Sequence, residues 1–215
     1  TDIILKNLGI RTLGRLAQMP PDSLKPRLGI YGEMLIGYAR GIDDRPVEPP
    51  EQAKSFSRET TFAEDTHDRK ALEAMLQYLS EHVGVKLRTN GRQTRCITLK
   101  LRFSDFNTIT RSQTLPSSTD ADQVIFATGL KLLQKELGKN RLAVRLIGIG
   151  VGSLGEKGEQ LNMLGGDAVR LENLNRAIDR IRQKYGFDSI QTGRTLRLEE
   201  LFPEHLGRDR QEGQE

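Results

Sequence analysis

The stretch QTRCITLKLRF, residues 93–103, and its continuation TITRSQTL, residues 108–115, decide the fold. In the first, Ile97, Leu99, Leu101 and Phe103 point one way, and Thr98, Lys100 and Arg102 the other. That two-residue period is the mark of a strand with one buried and one wet face. In the second, Thr108, Thr110, Ser112 and Thr114 share a face. A hairpin that sets Lys100 opposite Thr110 and Arg102 opposite Thr108 carries hydroxyls and cations, and no acid, on its wet side. Such a face suits phosphate oxygens and needs no base-reading geometry. A plain solvated sheet surface is the alternative. The same register turns Arg111 and Gln113 toward the apolar side, so both are expected at the sheet margin unless the register slips.

Upstream of the hairpin, Ser55 to Phe62 alternates as a strand, with Phe56 and Phe62 on one side and Ser55 and Ser57 on the other. Asp65 or Thr66 can then cap a helix whose Leu72, Met75, Leu79, Val83 and Leu87 keep helical spacing. Downstream, Ser118, Thr119 or Asp120 can cap a second helix with Phe126, Leu130, Leu133 and Leu137 inward, ended by Gly138. Arg145 to Leu154 is the last strand, with Ile147, Ile149 and Val151 on one face and Gly148, Gly150 and Gly152 on the other. The order strand, helix, strand, strand, helix, strand predicts an α+β domain over residues 55–154. It has a βαββαβ order, one four-stranded antiparallel sheet and two helices on a single face. Three glycines on one strand face weaken the strand and call for a reason. Close approach of another backbone, such as a nucleic acid strand, is one. Flat packing under a neighbouring element is the other.

Residues 1–41 read as a partial helical domain of short pieces. Gly9 closes the first, and Thr12 caps the next with Leu13, Leu16 and Ala17 inward. Thr1 falls inside an element, so partners upstream are expected. Residues 42–54 are rich in proline and charge and read as a linker. Residues 155–215 begin with a loose polar run and an apolar knot, Gln160 to Leu164. A helix follows from Asp167 to Tyr185 with Leu171, Leu174, Ile178 and Ile181 as its inner stripe, stopped by Gly186. Ser189 to Leu198 is expected to be extended and the last residues disordered.

Composition narrows the function. With 36% hydrophobic and 29% charged residues, 215 residues make a chain with a normal core. No signal peptide or membrane-length apolar run is present, and the single cysteine, Cys96, has no internal disulfide partner; a cytoplasmic protein is expected. The net charge of +4 favours an anionic partner only where the cations cluster. His67, His82 and His205 have no metal-binding or catalytic spacing, and no P-loop or dinucleotide fingerprint occurs. Tryptophan is absent, which argues against base stacking as the main mode of recognition.

Four stretches together resemble the Y-family, or lesion-bypass, DNA polymerases, and most closely their polymerase IV and UmuC-like group. LKNLGIRTLGRLA resembles the thumb. KSFSRETTFAED resembles the entry to the little finger domain, and RLIGIGVGSL its last strand. EQLNML, with LNRAIDRIRQKYG after it, resembles the clamp-binding peptide and C-terminal helix of UmuC-like members. The resemblance implies that the little finger touches the phosphates of primer-template DNA without regard to sequence, through Lys54, Ser55, Ser57, Arg58, Arg111 and Arg145. Arg95, Lys100 and Arg102 join that set by strand alternation. It also implies that Gln160, Leu161, Met163 and Leu164 dock on a bacterial sliding clamp, more weakly than a peptide with phenylalanine at its end. In the family, the acids that hold Mg2+ for nucleotidyl transfer lie in a palm upstream of the thumb, so this stretch is expected to bind DNA without copying it. A monomer with no membrane attachment is expected, acting in damage bypass and repair. Two other readings are a catalytically idle polymerase-like adaptor of a mutagenesis complex, and an RNA-binding module of the same topology. The latter would display aromatics on its central strands, where this chain has Thr, Lys and Arg.

Overall fold

The computed structural model describes residues 1–48, 52–156, 166–196 and 198, and the chain divides into two units, Thr1–Glu51 and Gln52–Glu215. The first is a cluster of short helices: α1 (Asp2–Asn7), α2 (Leu13–Ala17), a 3-10 turn (Pro21–Leu24), α3 (Lys25–Leu28) and α4 (Ile30–Ala39). Thr12 caps α2, its hydroxyl accepting from the Arg15 amide at 3.2 Å. Ile10, Leu16, Leu24 and Ile36 form the core. Leu13, expected inward, is exposed at the first position of α2.

The second unit is built on four antiparallel strands: β1 (Phe56–Thr66), β2 (Arg92–Phe103), β3 (Thr108–Thr119) and β4 (Val144–Glu156). Their order across the sheet is β1-β4-β2-β3. Two helices, α5 (Arg69–Thr89) and α6 (Asp122–Leu137), supply the crossovers, as the βαββαβ order requires. Ile97, Leu99, Leu101 and Phe103 of β2 join Ile147, Ile149 and Val151 of β4 under Leu72, Met75, Leu79, Val83 and Leu87 of α5 and Ile125 and Leu133 of α6. Every predicted inward residue of α5 is buried. The helix starts differ from expectation. Strand β1 runs on through Thr66, and Asp68 caps α5 by accepting from the Lys70 and Ala71 amides. Strand β3 likewise consumes Ser118 and Thr119, so α6 begins after Ala121 without a side-chain cap.

A third long helix, α7 (Gly166–Tyr185), lies on the helical layer. Its expected apolar stripe is docked only in part, with Leu171 and Ile178 half-buried. Leu174 and Ile181 are exposed, whereas Asn175 and Arg182 are buried. The reason is the surface it meets, since α5 and α6 turn polar groups outward there. Asn175 exchanges hydrogen bonds with Gln123 of α6. Arg182 pairs with Glu81 of α5 and lies 4.1 Å over the Phe187 ring. Gly186, at φ 92°, stops α7. A 3-10 turn at Phe187–Ser189 then replaces the start of the expected extended segment and stacks Phe187 on His82 at 3.6 Å. Among the described residues, no helix is long and apolar enough to cross a membrane.

Candidate nucleic-acid interface

With both crossover helices on one side of the sheet, the other side is set by register. Lys100 pairs with Thr110 and Arg102 with Thr108, as read from the sequence. Across the sheet these rows extend to Gly148 and then Glu59, and to Leu146 and then Thr61. The next row holds Ser57, Gly150, Thr98 and Ser112. Apart from Leu146, these three rows are hydroxyl, glycine and charge. The hydroxyls are already oriented: Thr98 and Ser112 share a hydrogen bond of 2.9 Å, and the Thr108 hydroxyl accepts from Arg102 Nε at 2.8 Å.

The glycine row is a shallow trough along β4. A Cβ on Gly148 would fall 2.7 Å from the Glu59 Cβ, and one on Gly150 would lie 3.4 Å from that of Ser57. One on Gly152 would meet nothing within 4 Å. Gly148 therefore makes room for Glu59, whose carboxylate crosses the trough and accepts from Lys100 Nζ at 2.7 Å. The wet side of the hairpin taken alone has no acid, but the full sheet face gains this one.

The remaining site candidates do not gather on this face. Ser57 sits on it, and Lys54 and Ser55 precede β1 and are exposed. Arg58 pairs with Ile149 and so shares the helix-facing side of β1 with Phe56 and Phe62, half-buried. Arg111 is on the helix side too, at the sheet margin as its parity required. It pairs with Glu136 of α6 at 3.1 Å. Lys139, and after it Arg111, hold the Glu136 carboxyl below its ordinary range. Arg95 has the parity of Ile97, not of Lys100. It lies at the strand end, donating to the Leu115 and Pro116 carbonyls. Arg145 is the extra residue of a β-bulge, because Arg102 pairs with Leu146 while Phe103 pairs with Val144. Its guanidinium donates to Asp65 at 3.2 Å and lies 4.7 Å over the Phe106 ring.

Phe106 has no counterpart in the sequence expectations. It is 65% exposed at the β2–β3 turn with φ 63°, a backbone region costly for a bulky residue. Its amide closes the turn on the Phe103 carbonyl at 2.9 Å. Gln160, Leu161, Met163 and Leu164 lie outside the described residues. Among the described residues no group of three or more His, Cys, Asp or Glu could hold a metal ion.

Comparison with known proteins bears on this geometry. Residues 53–163 match the model of the impB/mucB/samB family C-terminal domain. The chain is 49% identical over 202 residues to the DNA polymerase IV of Dehalococcoides mccartyi (strain 195), covering 94% of this chain and 52% of that protein. It is 38% identical over 194 residues to the DNA polymerase IV of Brucella melitensis biotype 1, covering 89% and 43%. It is 34% identical over 184 residues to that of Moorella thermoacetica, covering 85% and 46%. The chain thus spans about half the length of the curated relatives it matches. The resemblance to lesion-bypass polymerases of the polymerase IV group stands.

Proposed function

Since the chain belongs to the impB/mucB/samB family, whose C-terminal domain it carries, we propose that the open face of its sheet rests on the sugar-phosphate backbones of primer-template DNA. The observation that carries this reading is the face itself. Helices cover one side of the sheet, and the other offers aligned hydroxyls, a glycine trough, Lys100 and Arg102. Hydroxyls and cations of this kind position a duplex without reading its bases. Lys54 and Ser55 extend the surface at the entry to β1. Arg58, Arg95, Arg111 and Arg145 are placed to contribute at its margins rather than at its centre. In this reading nucleotidyl transfer belongs to palm residues outside the sequence, and the work of this chain is grip.

Affinity for two unrelated primer-template duplexes, followed by fluorescence anisotropy from low to moderate salt, tests the proposal. Both should bind with similar constants, and log K should fall linearly with log salt, each phosphate contact adding about 0.9 to the slope. Binding confined to one sequence, or none at low ionic strength, would remove it.

The same proposal gives Gln160, Leu161, Met163 and Leu164 to a bacterial sliding clamp. The glutamine hydrogen-bonds at the rim of the clamp's pocket and the apolar pair enters it. Support for this part comes from the sequence motif. A peptide spanning residues 156–168 that fails to bind a bacterial clamp at high micromolar concentration would exclude it.

A further inference from the structure

We propose that Glu59 is a resident competitor for phosphate, occupying the Lys100 ammonium until a DNA phosphate displaces it. The inference rests on the DNA-binding reading above and deepens it. Strands β1 and β2 are not neighbours; β4 lies between them, so two strand spacings, about 9–10 Å, separate Glu59 from Lys100. The carboxylate bridges that distance because Gly148, in the same row, has no side chain to obstruct it. Its oxygen sits 2.7 Å from Lys100 Nζ, the place a phosphate oxygen would take.

The fold has little need of this contact. Both side chains are substantially exposed, 47% for Glu59 and 36% for Lys100, and exposed ion pairs add little to stability. For binding, the contact matters more. It neutralises Lys100, and it sets a negative charge in the trough where phosphates would lie. Duplex binding must therefore open the pair, which lowers affinity and lets the grip release. A polymerase that must advance along DNA needs a hold it can let go of at each step. Sequence-independent contacts moderated by an internal anion provide one.

The test compares Glu59→Gln with the wild-type chain for affinity to primer-template duplex across a salt series. The glutamine variant should bind about three- to tenfold tighter at low salt, with a slope steeper by about 0.9 as Lys100 becomes a full phosphate partner. In a Lys100→Ala background, the same change should give a clearly smaller gain and no steepening of the slope, since only repulsion is left to relieve. Unchanged affinity and slope in Glu59→Gln, while the wild type binds, would overturn this inference and leave the DNA reading intact. A gain just as large without Lys100 would also overturn it, since the carboxylate would then act only by general repulsion. If neither the wild type nor Glu59→Gln binds the duplex, both readings fall.

Discussion

Replacing Arg88 with alanine is expected to destabilise the second unit by about 3–5 kcal/mol, the usual consequence of removing one member of a buried charge pair. Arg88 is the junction of three helices. Near the C-terminal end of α5, it donates to Asp122 of α6 at 2.7 Å, to the Asp120 carbonyl at 2.6 Å and to Asp179 of α7 at 2.6 Å. The Arg88 and Asp122 side chains are 8% and 5% exposed, so water cannot replace the lost partner. Gly84 fits this junction: a Cβ there would lie 1.8 Å from the Asp122 carboxylate, so α5 carries glycine one turn before Arg88. Burial pushes the Asp122 carboxyl up to about 6, with Arg88 pulling the other way. A carboxyl whose folded pKa is raised binds its proton more tightly in the native state, so its contribution to stability falls as pH rises through the range from 3.8 to about 6. Without Arg88 the carboxyl rises further, and the deficit of the variant should be larger at pH 8 than at pH 5. Urea unfolding of both proteins at the two pH values measures this. An equal deficit at both would mean that Asp122 does not carry the cost.

Changing Lys100 to glutamine together with Arg102 to glutamate should weaken duplex binding by roughly sixfold or more near 0.15 M salt, with Arg102 supplying the full contact because Glu59 already holds Lys100. The estimate follows from about 0.9 of slope per phosphate contact, which makes each contact worth about sixfold between 0.15 and 1 M salt. Reversing the charge of Arg102 adds repulsion to the loss. Arg176→Glu with Arg180→Glu, exposed on α7 and away from the open face, removes the same number of cations. It should leave binding within a few-fold of wild type. Equal losses in the two variants would show that net charge, and not this face, holds the DNA.

The sequence made the sheet legible because its signal is local. A two-residue period over Ile97 to Phe103 fixes which side is buried, and burial of one side leaves a single register for Lys100 and Arg102. The Glu59 contact was harder to foresee. Parity alone places Glu59 beside Ser57 on the open side, but its reach to Lys100 depends on sheet order and on Gly148 lying between them. The docked side of α7 was hidden for a similar reason. Periodicity picks out Leu174 and Ile181, yet the surface α7 meets presents Arg88, Gln123 and Glu81, and so Asp179, Asn175 and Arg182 turn inward. Helix starts shifted where strands β1 and β3 ran on through the residues that resembled caps. Alternation also placed Arg95 wrongly, because its parity is that of Ile97.

DNA is expected to rest on the side of the sheet that α5 and α6 leave open. Amide chemical-shift mapping on adding a primer-template duplex tests it most directly. Changes should concentrate at Ser57, Thr98, Lys100, Arg102, Thr110, Gly148 and Gly150, with α7 and the outer surface of α5 unmoved. Shifts clustered on the helices, with those strand amides still, would contradict it.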